Sequence, residues 1–282
     1  MTPQFHIDIC GDIRYKRVHL DGAETRSHML QLYTWDPNSN SGKPIFMLKE
    51  KGVDFEFHYI DLLKFEQHAP EYLKVNPNGT VPTLVHDDKH LTESSILCEY
   101  IDRAFPGPSF TPSDPAQCYR MRLWCRDVDT KYAPALSVLG WHAFMGPMVR
   151  KMDPEELKRL VERIPLKERR IAWSTAIRST FTAEQLQGAR DRVAQWVQAM
   201  DACLKQSKWL AGPTYSIADI VTFANAYALP VSQPQAASKD IAPNYWGWLR
   251  RIYARPAIKA AFEMGRTPLA ARALQMIQEL AA

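Results

Sequence analysis

From Met29 onward, apolar runs and turn-rich breaks alternate in a rhythm that predicts a small mixed sheet. Met29-Leu30-Gln31-Leu32-Tyr33-Thr34-Trp35 reads as a buried strand, and Asp36-Pro37-Asn38-Ser39-Asn40-Ser41-Gly42 as a loop rich in turn residues. Lys43-Pro44 opens a helix running to Lys51, with Pro44 near the first turn, where its missing N–H is harmless. Gly52 ends that helix, Phe55-Glu56-Phe57-His58-Tyr59-Ile60 alternates as a second strand, and the polar segment from Lys64 to Lys74 predicts a short helix. A third strand, Thr83-Leu84-Val85, follows the turn formers Asn76-Pro77-Asn78-Gly79, where Pro fixes φ and Gly or Asn accepts a positive φ. Pro82 cannot donate a ladder hydrogen bond, so it belongs at a strand entrance or edge, and Val81-Pro82 is a place for a cis peptide. A tight turn at Asp87-Asp88 leads to a fourth strand at His90-Leu91-Thr92. Ser94 through Ala104 then form a helix with Ile96, Leu97, Tyr100 and Ile101 on one face.

The order β-α-β-α-β-β-α implies a right-handed crossover between parallel strands, closed by an antiparallel hairpin. Phe105-Pro106-Gly107-Pro108-Ser109 is a Pro/Gly linker of the kind found at domain boundaries. After Pro115 the pattern turns helical. Tyr119, Leu123, Trp124, Val128 and Tyr132 recur at helical spacing, and Ala189, Val193, Trp196, Val197, Met200 and Leu204 form a cleaner stripe. Between them, residues 146–182 read as helical pieces broken at Pro154 and Pro165. Ser216-Ile217-Ala218-Asp219 resembles a capping box before a buried helix from Ile220 to Leu229, and Arg255-Pro256 begins a further helix. Residues 1–29 carry two alternating segments, Phe5–Ile9 and Tyr15–Leu20, that suit a strand pair as well as a tail. The chain thus divides into an extension (1–29), an α/β domain (30–108) and an all-helical domain (109–282).

Composition narrows the function classes. A chain of 282 residues favours two domains, and 46% apolar with 23% charged residues is ordinary for a globular protein. The net charge of +4 is too small and dispersed to indicate nucleic acid, and Lys167-Glu168-Arg169-Arg170 reads as a solvated helix face. Five cysteines without CxxC spacing indicate neither a zinc site nor a disulfide framework; reduced cytoplasmic thiols are the simplest account. No apolar run approaches a membrane span. Asp8, Asp12, Arg14, Lys16 and Arg17 stand where a signal peptide needs an apolar core.

The combination of Val81-Pro82, Glu93-Ser94 and Ser216-Ile217-Ala218-Asp219-Ile220 resembles the cytosolic glutathione S-transferases, over roughly residues 30–265. Within them, Asn40-Ser41 before Lys43-Pro44, Lys64-Phe65-Glu66-Gln67-His68, Thr92-Glu93-Ser94 and aromatics such as Trp141 are similar to the bacterial β-etherases that cleave β-aryl ethers of lignin-derived phenolics. The resemblance implies a thioredoxin-like N-terminal domain, an all-α C-terminal domain, glutathione as cofactor, and a homodimer or a heterodimer with a related transferase. It implies that Glu93 and Ser94 bind the γ-glutamyl unit, the Val81 backbone before cis Pro82 pairs with the cysteinyl unit, and His68 reaches the glycine carboxylate. The chemistry suits these residues: a carboxylate fits an ammonium, and a hydroxyl with helix N-terminal N–H groups fits a carboxylate. Ser94 is equally an ordinary N-cap, and His68 a surface histidine.

In this fold the glutathione sulfur sits at the N-terminus of the first helix, where donors and the dipole favour thiolate. Ser41 and Asn40 are the candidate catalytic donors, in a loop that also holds Asn38 and Ser39. A cysteine is absent from that loop, against mixed-disulfide chemistry. The expected reaction is attack of glutathione thiolate on the carbon α to a ketone, expelling phenolate and leaving a thioether. Tyr119, Trp124, Trp141 and Phe144 are candidate substrate walls, with Trp35 and His142 in reserve; for each of them core packing is the competing role. A general glutathione transferase and a non-catalytic partner subunit are the alternatives.

Overall fold

The computed structural model describes residues 30–178 and 181–281; the strand-or-tail expectation for 1–29 lies outside them. Four strands, β1 (Gln31–Thr34), β2 (Glu56–Tyr59), β3 (Thr83–His86) and β4 (Lys89–Leu91), form one sheet in the order β2-β1-β3-β4. β1 pairs parallel to β2, with Tyr33 opposite His58, and β3 runs antiparallel to both β1 and β4. This is the crossover-plus-hairpin order that the sequence predicts.

Helices α1 (Ser39–Lys51) and α3 (Ser94–Ala104) flank the sheet together with the short α2 (Pro70–Val75). α1 begins four residues before the expected Lys43, because the Gly42 N–H already closes a turn on the Asn38 carbonyl at 2.9 Å. Polar Ser and Asn side chains, read as loop, are also what helix starts use. Pro44 therefore lies inside the helix rather than in its first turn, and the Asn40 carbonyl loses its i+4 donor. Gly42 is needed here, since a Cβ would stand 2.8 Å from the Pro37 backbone. In α3, Leu97 and Ile101 are buried as expected, but Ile96 is 67% exposed.

The second half is helical. α4 (Pro115–Asp127) runs through a π-helical turn at Val128–Tyr132 into α5 (Ala133–Gly140), then through another at Trp141–Met145 into α6 (Gly146–Val149). α7 (Pro154–Glu162) and α8 (Lys167–Arg178) form the broken stretch, each following a proline-marked break. The long α9 (Ala183–Gln206) buries its predicted stripe from Ala189 to Leu204. Next come α10 (Ile217–Ala226), the short α11 (Leu229–Ser232) and α12 (Pro234–Ala237), then α13 (Pro243–Tyr253), α14 (Pro256–Phe262) and α15 (Pro268–Ala281). The Ser216–Asp219 capping box is present, and buried Asp219 also accepts from Leu210 N and Trp248 Nε1.

α1 is the hub. It packs on α3 within the sheet half and on α10 and α14 of the helical half, where Phe46 meets Phe223 and Phe262 edge-on with centroids 5.4 and 5.3 Å apart. A second, smaller cluster joins Phe65, Val149 and Ile177, with Trp141 and Trp173 against it. Phe65 adopts φ 58° between two 3-10 turns and is fully buried, so the α6–α8 region docks on the turn that carries His68.

Candidate active site

The stretch from Asn76 to Pro82 is a turn held by one side chain. Asn76, 3% exposed, donates through Nδ2 to the Thr80 carbonyl (2.8 Å) and to the hydroxyls of Thr80 and Thr83, while its Oδ1 accepts from Asn78 N. Tyr72 Oη donates to the same Thr80 carbonyl at 2.5 Å. Thr80 is thereby fixed just before the Val81–Pro82 peptide, which is cis, and β3 begins at Thr83. Among the described residues Val81 takes part in none of the backbone hydrogen bonds outside the regular elements, which leaves its backbone available to an extended peptide.

Glu93 caps α3 at φ 68° and ψ 95°, an uncommon conformation for a residue with a Cβ, with its side chain exposed. Ser94 is the first residue of α3 and nearly buried, so the Glu93 carboxylate, the Ser94 hydroxyl and the helix-start N–H groups share one corner. At the start of α1, Ser39 (φ 49°) donates its hydroxyl to Asn225 Oδ1 of α10, Asn40 is exposed, and Ser41 is buried with its carbonyl accepting from Thr34 Oγ1 at 3.3 Å. Tyr33 stacks on His58 and belongs to the sheet, not to this helix start.

His68 is 1% exposed rather than a surface histidine, and its ring lies edge-on to Trp173 with centroids 5.5 Å apart. Burial, aided by the charges of Arg169 and Arg163, lowers its pKa to about 4, against an opposing Gly79 backbone bond. It is therefore neutral near pH 7 and meets an anion as an N–H donor, not as a cation. Beside it Gln67 is 2% exposed, and both its side-chain polar atoms, like His68 Nδ1, lack a partner among the described residues. Buried polar atoms without a protein partner call for a water or a ligand. Gly79 (φ 60°) backs this corner, where a Cβ would stand 2.8 Å from the His68 ring.

The aromatic candidates separate. Trp141 lines a cavity of about 390 Å³ with Trp173, Val138 and Phe181, a size usual for small-molecule sites. Trp141 and Trp173 meet edge-on at 4.9 Å. Phe144 is part-buried in the same π-helical turn, His142 is exposed, Trp124 packs on the main core, and Trp35 is buried. Tyr119 is 67% exposed on α4 and does not line the cavity. A broader depression of about 630 Å³ at the C-terminal end of α1 is lined by Lys49, Glu50, Arg251 and Arg255, with Glu50 and Arg255 paired; it shares no residue with these groups.

Sequence reading missed Gln67, Lys43, Arg169 and Trp173. Gln67 carried a faint signal as the neighbour of His68. Fully buried Lys43 reaches Ser95 Oγ (3.3 Å) and Asp129 Oδ1 (2.5 Å), and Arg169, exposed as its charged run predicts, also lines the cavity. Among the described residues no cluster fit for a metal ion is present, and no helix is long and apolar enough to cross a membrane.

The chain is similar to known proteins. The glutathione S-transferase N-terminal domain model matches residues 28–103, and the C-terminal domain model matches residues 167–256. Protein LigF of Sphingobium sp. strain SYK-6 is 37% identical over 245 residues, covering 84% of this chain and 94% of its own length. The crystal structure of the beta-etherase LigF superposes with a TM-score of 0.80 over 83% of this chain and 99% of its own. A probable glutathione S-transferase, GSTF2 of Oryza sativa subsp. japonica, is 25% identical over 85% of this chain and 98% of its own. With both halves matched and LigF aligned nearly end to end, the chain belongs to the glutathione S-transferase family.

Proposed function

We propose that this protein cleaves the β-aryl ether bond of lignin-derived aromatic ketones with glutathione. The observation that carries the reading is the 37% identity, nearly end to end, to the beta-etherase LigF. Glutathione enters as a co-substrate and is consumed, so it is not a cofactor in the catalytic sense.

The tripeptide lies extended along the open edge of Val81, with Glu93 on its ammonium and Ser94 with the α3 N–H groups on the γ-glutamyl carboxylate. Gln67 Nε2 and neutral His68 Nδ1 donate to the glycine carboxylate, which gives partners to two buried nitrogens that have none among the described residues. The sulfur sits at the start of α1, where Ser41 and Asn40 with the helix dipole hold it as thiolate. The thiolate attacks the carbon α to the ketone, a C–S bond forms, and the C–O bond breaks with its electron pair on the departing phenoxide. The cavity walled by Trp141 and Trp173, which meets the His68 corner through Trp173, takes an aryl ring, with Phe144 beside it.

A dimer fits the surface: exposed Ile96 of α3 and Tyr119 of α4 flank the Arg122–Glu99 ion pair that joins those helices. Tyr119 serves this face better than a substrate wall. The cytoplasm is where glutathione and the reduced cysteines fit.

The test is incubation with glutathione and a ketone-bearing β-aryl ether dimer, following phenol and glutathione thioether in equal amounts. No phenol release at micromolar enzyme, with turnover of a dinitrohalobenzene, would replace this reading by a general transferase.

A further inference from the structure

The cavity walled by Trp141 and Trp173 has one charged lining residue, Arg169 of α8. Four arginines around it are committed to structure. Arg150 donates to the Ile177 carbonyl, Arg163 to the His68 carbonyl, Arg170 to the Ile164 carbonyl and Arg178 to the Ser174 carbonyl. Arg169 has no hydrogen bond or ion pair among the described residues. It is exposed by area, yet protein crowds its guanidinium enough that desolvation draws its pKa below the ordinary value, with Glu93 opposing. A guanidinium without a hydrogen-bond partner at the wall of an aromatic cavity keeps its planar set of N–H donors free for an anion.

Position says what comes. The Trp173 wall is shared between the cavity and the His68 corner, so Arg169 stands where the aryl cavity adjoins the glutathione residues. On the reading above, the one anion that develops in the aryl pocket is the phenoxide. A phenol titrates near about 10, so in apolar surroundings its oxygen leaves poorly as the anion. A planar guanidinium at the pocket wall meets that charge as it forms, with N–H donors that need no reorganisation.

We propose that Arg169 is a catalytic residue that stabilises the departing phenoxide as the C–O bond breaks. The electron pair of that bond goes to the aryl oxygen, Arg169 hydrogen-bonds it there, and the oxygen takes its proton from water after release; Arg169 keeps its own proton throughout. The inference rests on the etherase reading and adds the residue that carries the leaving-group charge.

The experiment is a leaving-group series: one ketone scaffold bearing aryl ethers from acidic nitrophenols to weakly acidic methoxyphenols, assayed with wild type and Arg169→Gln. The expected result is a kcat loss of about 100-fold for the methoxyphenol ether and a few-fold for the nitrophenol ether, with the glutathione KM unchanged. The plot of log kcat against leaving-group pKa steepens accordingly, which a merely structural role does not produce. Arg169→Lys, which keeps the charge without the planar fork, gives an intermediate slope and carries the comparison if the Gln variant fails to fold. A uniform loss with unchanged slope overturns the proposal. A raised glutathione KM with kcat retained also overturns it, and assigns Arg169 to a glutathione carboxylate. Wild type that releases no phenol from any ether removes the parent reading and this one together, whereas wild-type turnover with no change of slope removes this one alone.

Discussion

Lys43 Nζ lies 2.5 Å from Asp129 Oδ1, which joins the first helix of the sheet half to the π-helical turn that follows α4. Ser95 Oγ donates to the same carboxylate oxygen at 3.0 Å, so the start of α3, beside Ser94, is drawn into the link. The two partners differ in solvation: the Lys43 side chain is fully buried, whereas that of Asp129 is 39% exposed.

That asymmetry sets a prediction. Asp129→Asn leaves a buried ammonium without its counter-charge and should cost on the order of 3 kcal/mol, as breaking one side of a buried pair does. Lys43→Met leaves a carboxylate that water can reach and should cost about 1 kcal/mol. Urea denaturation of both variants checks the order; an equal or reversed cost would show that the pair does not behave as a buried one.

His68 makes stability depend on pH in one direction. Its pKa is about 4 in the folded chain against 6.5 for the ordinary group, so between those values the unfolded chain binds more protons. Stability from this group is present above pH 6.5 and lost as the pH falls through 4. The shift corresponds to about 3 kcal/mol. Wild-type stability minus that of His68→Gln should therefore rise by that order from pH 4 to 6.5. A flat difference would show that the histidine is not buried neutral.

Asp219 acts with the opposite sign. Burial raises its pKa from 3.8 to about 6, with hydrogen bonds from Leu210, Trp248 and Ser216 pulling the other way. Here the folded chain binds more protons between those values, so its contribution is full below 3.8 and is lost as pH rises through 6. Wild-type stability minus that of Asp219→Asn should fall by about 3 kcal/mol over that range. Asp219→Ala should be worse at every pH, by more than about 3 kcal/mol, because four donors lose their acceptor.

Local signals in the sequence carried the backbone of the site and little of its electrostatics. Asn76 to Pro82 was legible because turn formers and a strand-entrance proline act within a few residues, and Ser216–Asp219 because a capping box is a four-residue geometry. Ile96 was misplaced because periodicity marks an apolar face without saying which of its edges a neighbour covers. Arg169 is exposed, as its charged run suggests, and only the docking of α8 on Phe65 and Trp141 makes it a cavity wall as well. Lys43 was silent for the same reason, since its partner lies 86 positions away.

Burial ranks the donors at the start of α1. Ser41 is buried in the first turn, and among the described residues its hydroxyl has no partner, whereas Asn40 is exposed and Ser39 is engaged by Asn225. A hydroxyl shielded from water holds a thiolate more strongly than an exposed amide does, because the effective dielectric around it is lower. Ser41→Ala should raise the pKa of bound glutathione by about one unit, equivalent to about 1.4 kcal/mol. Asn40→Ala should raise it by less. Ultraviolet titration of the thiolate in each complex reads this directly. Below the pKa of the bound thiol, kcat/KM for Ser41→Ala should fall about tenfold in step, and recover at high pH where the thiolate forms unaided. A larger shift for Asn40→Ala or Ser39→Ala would move the activating role to that residue, and no shift for any of them would leave the helix N-terminus alone as the source of activation.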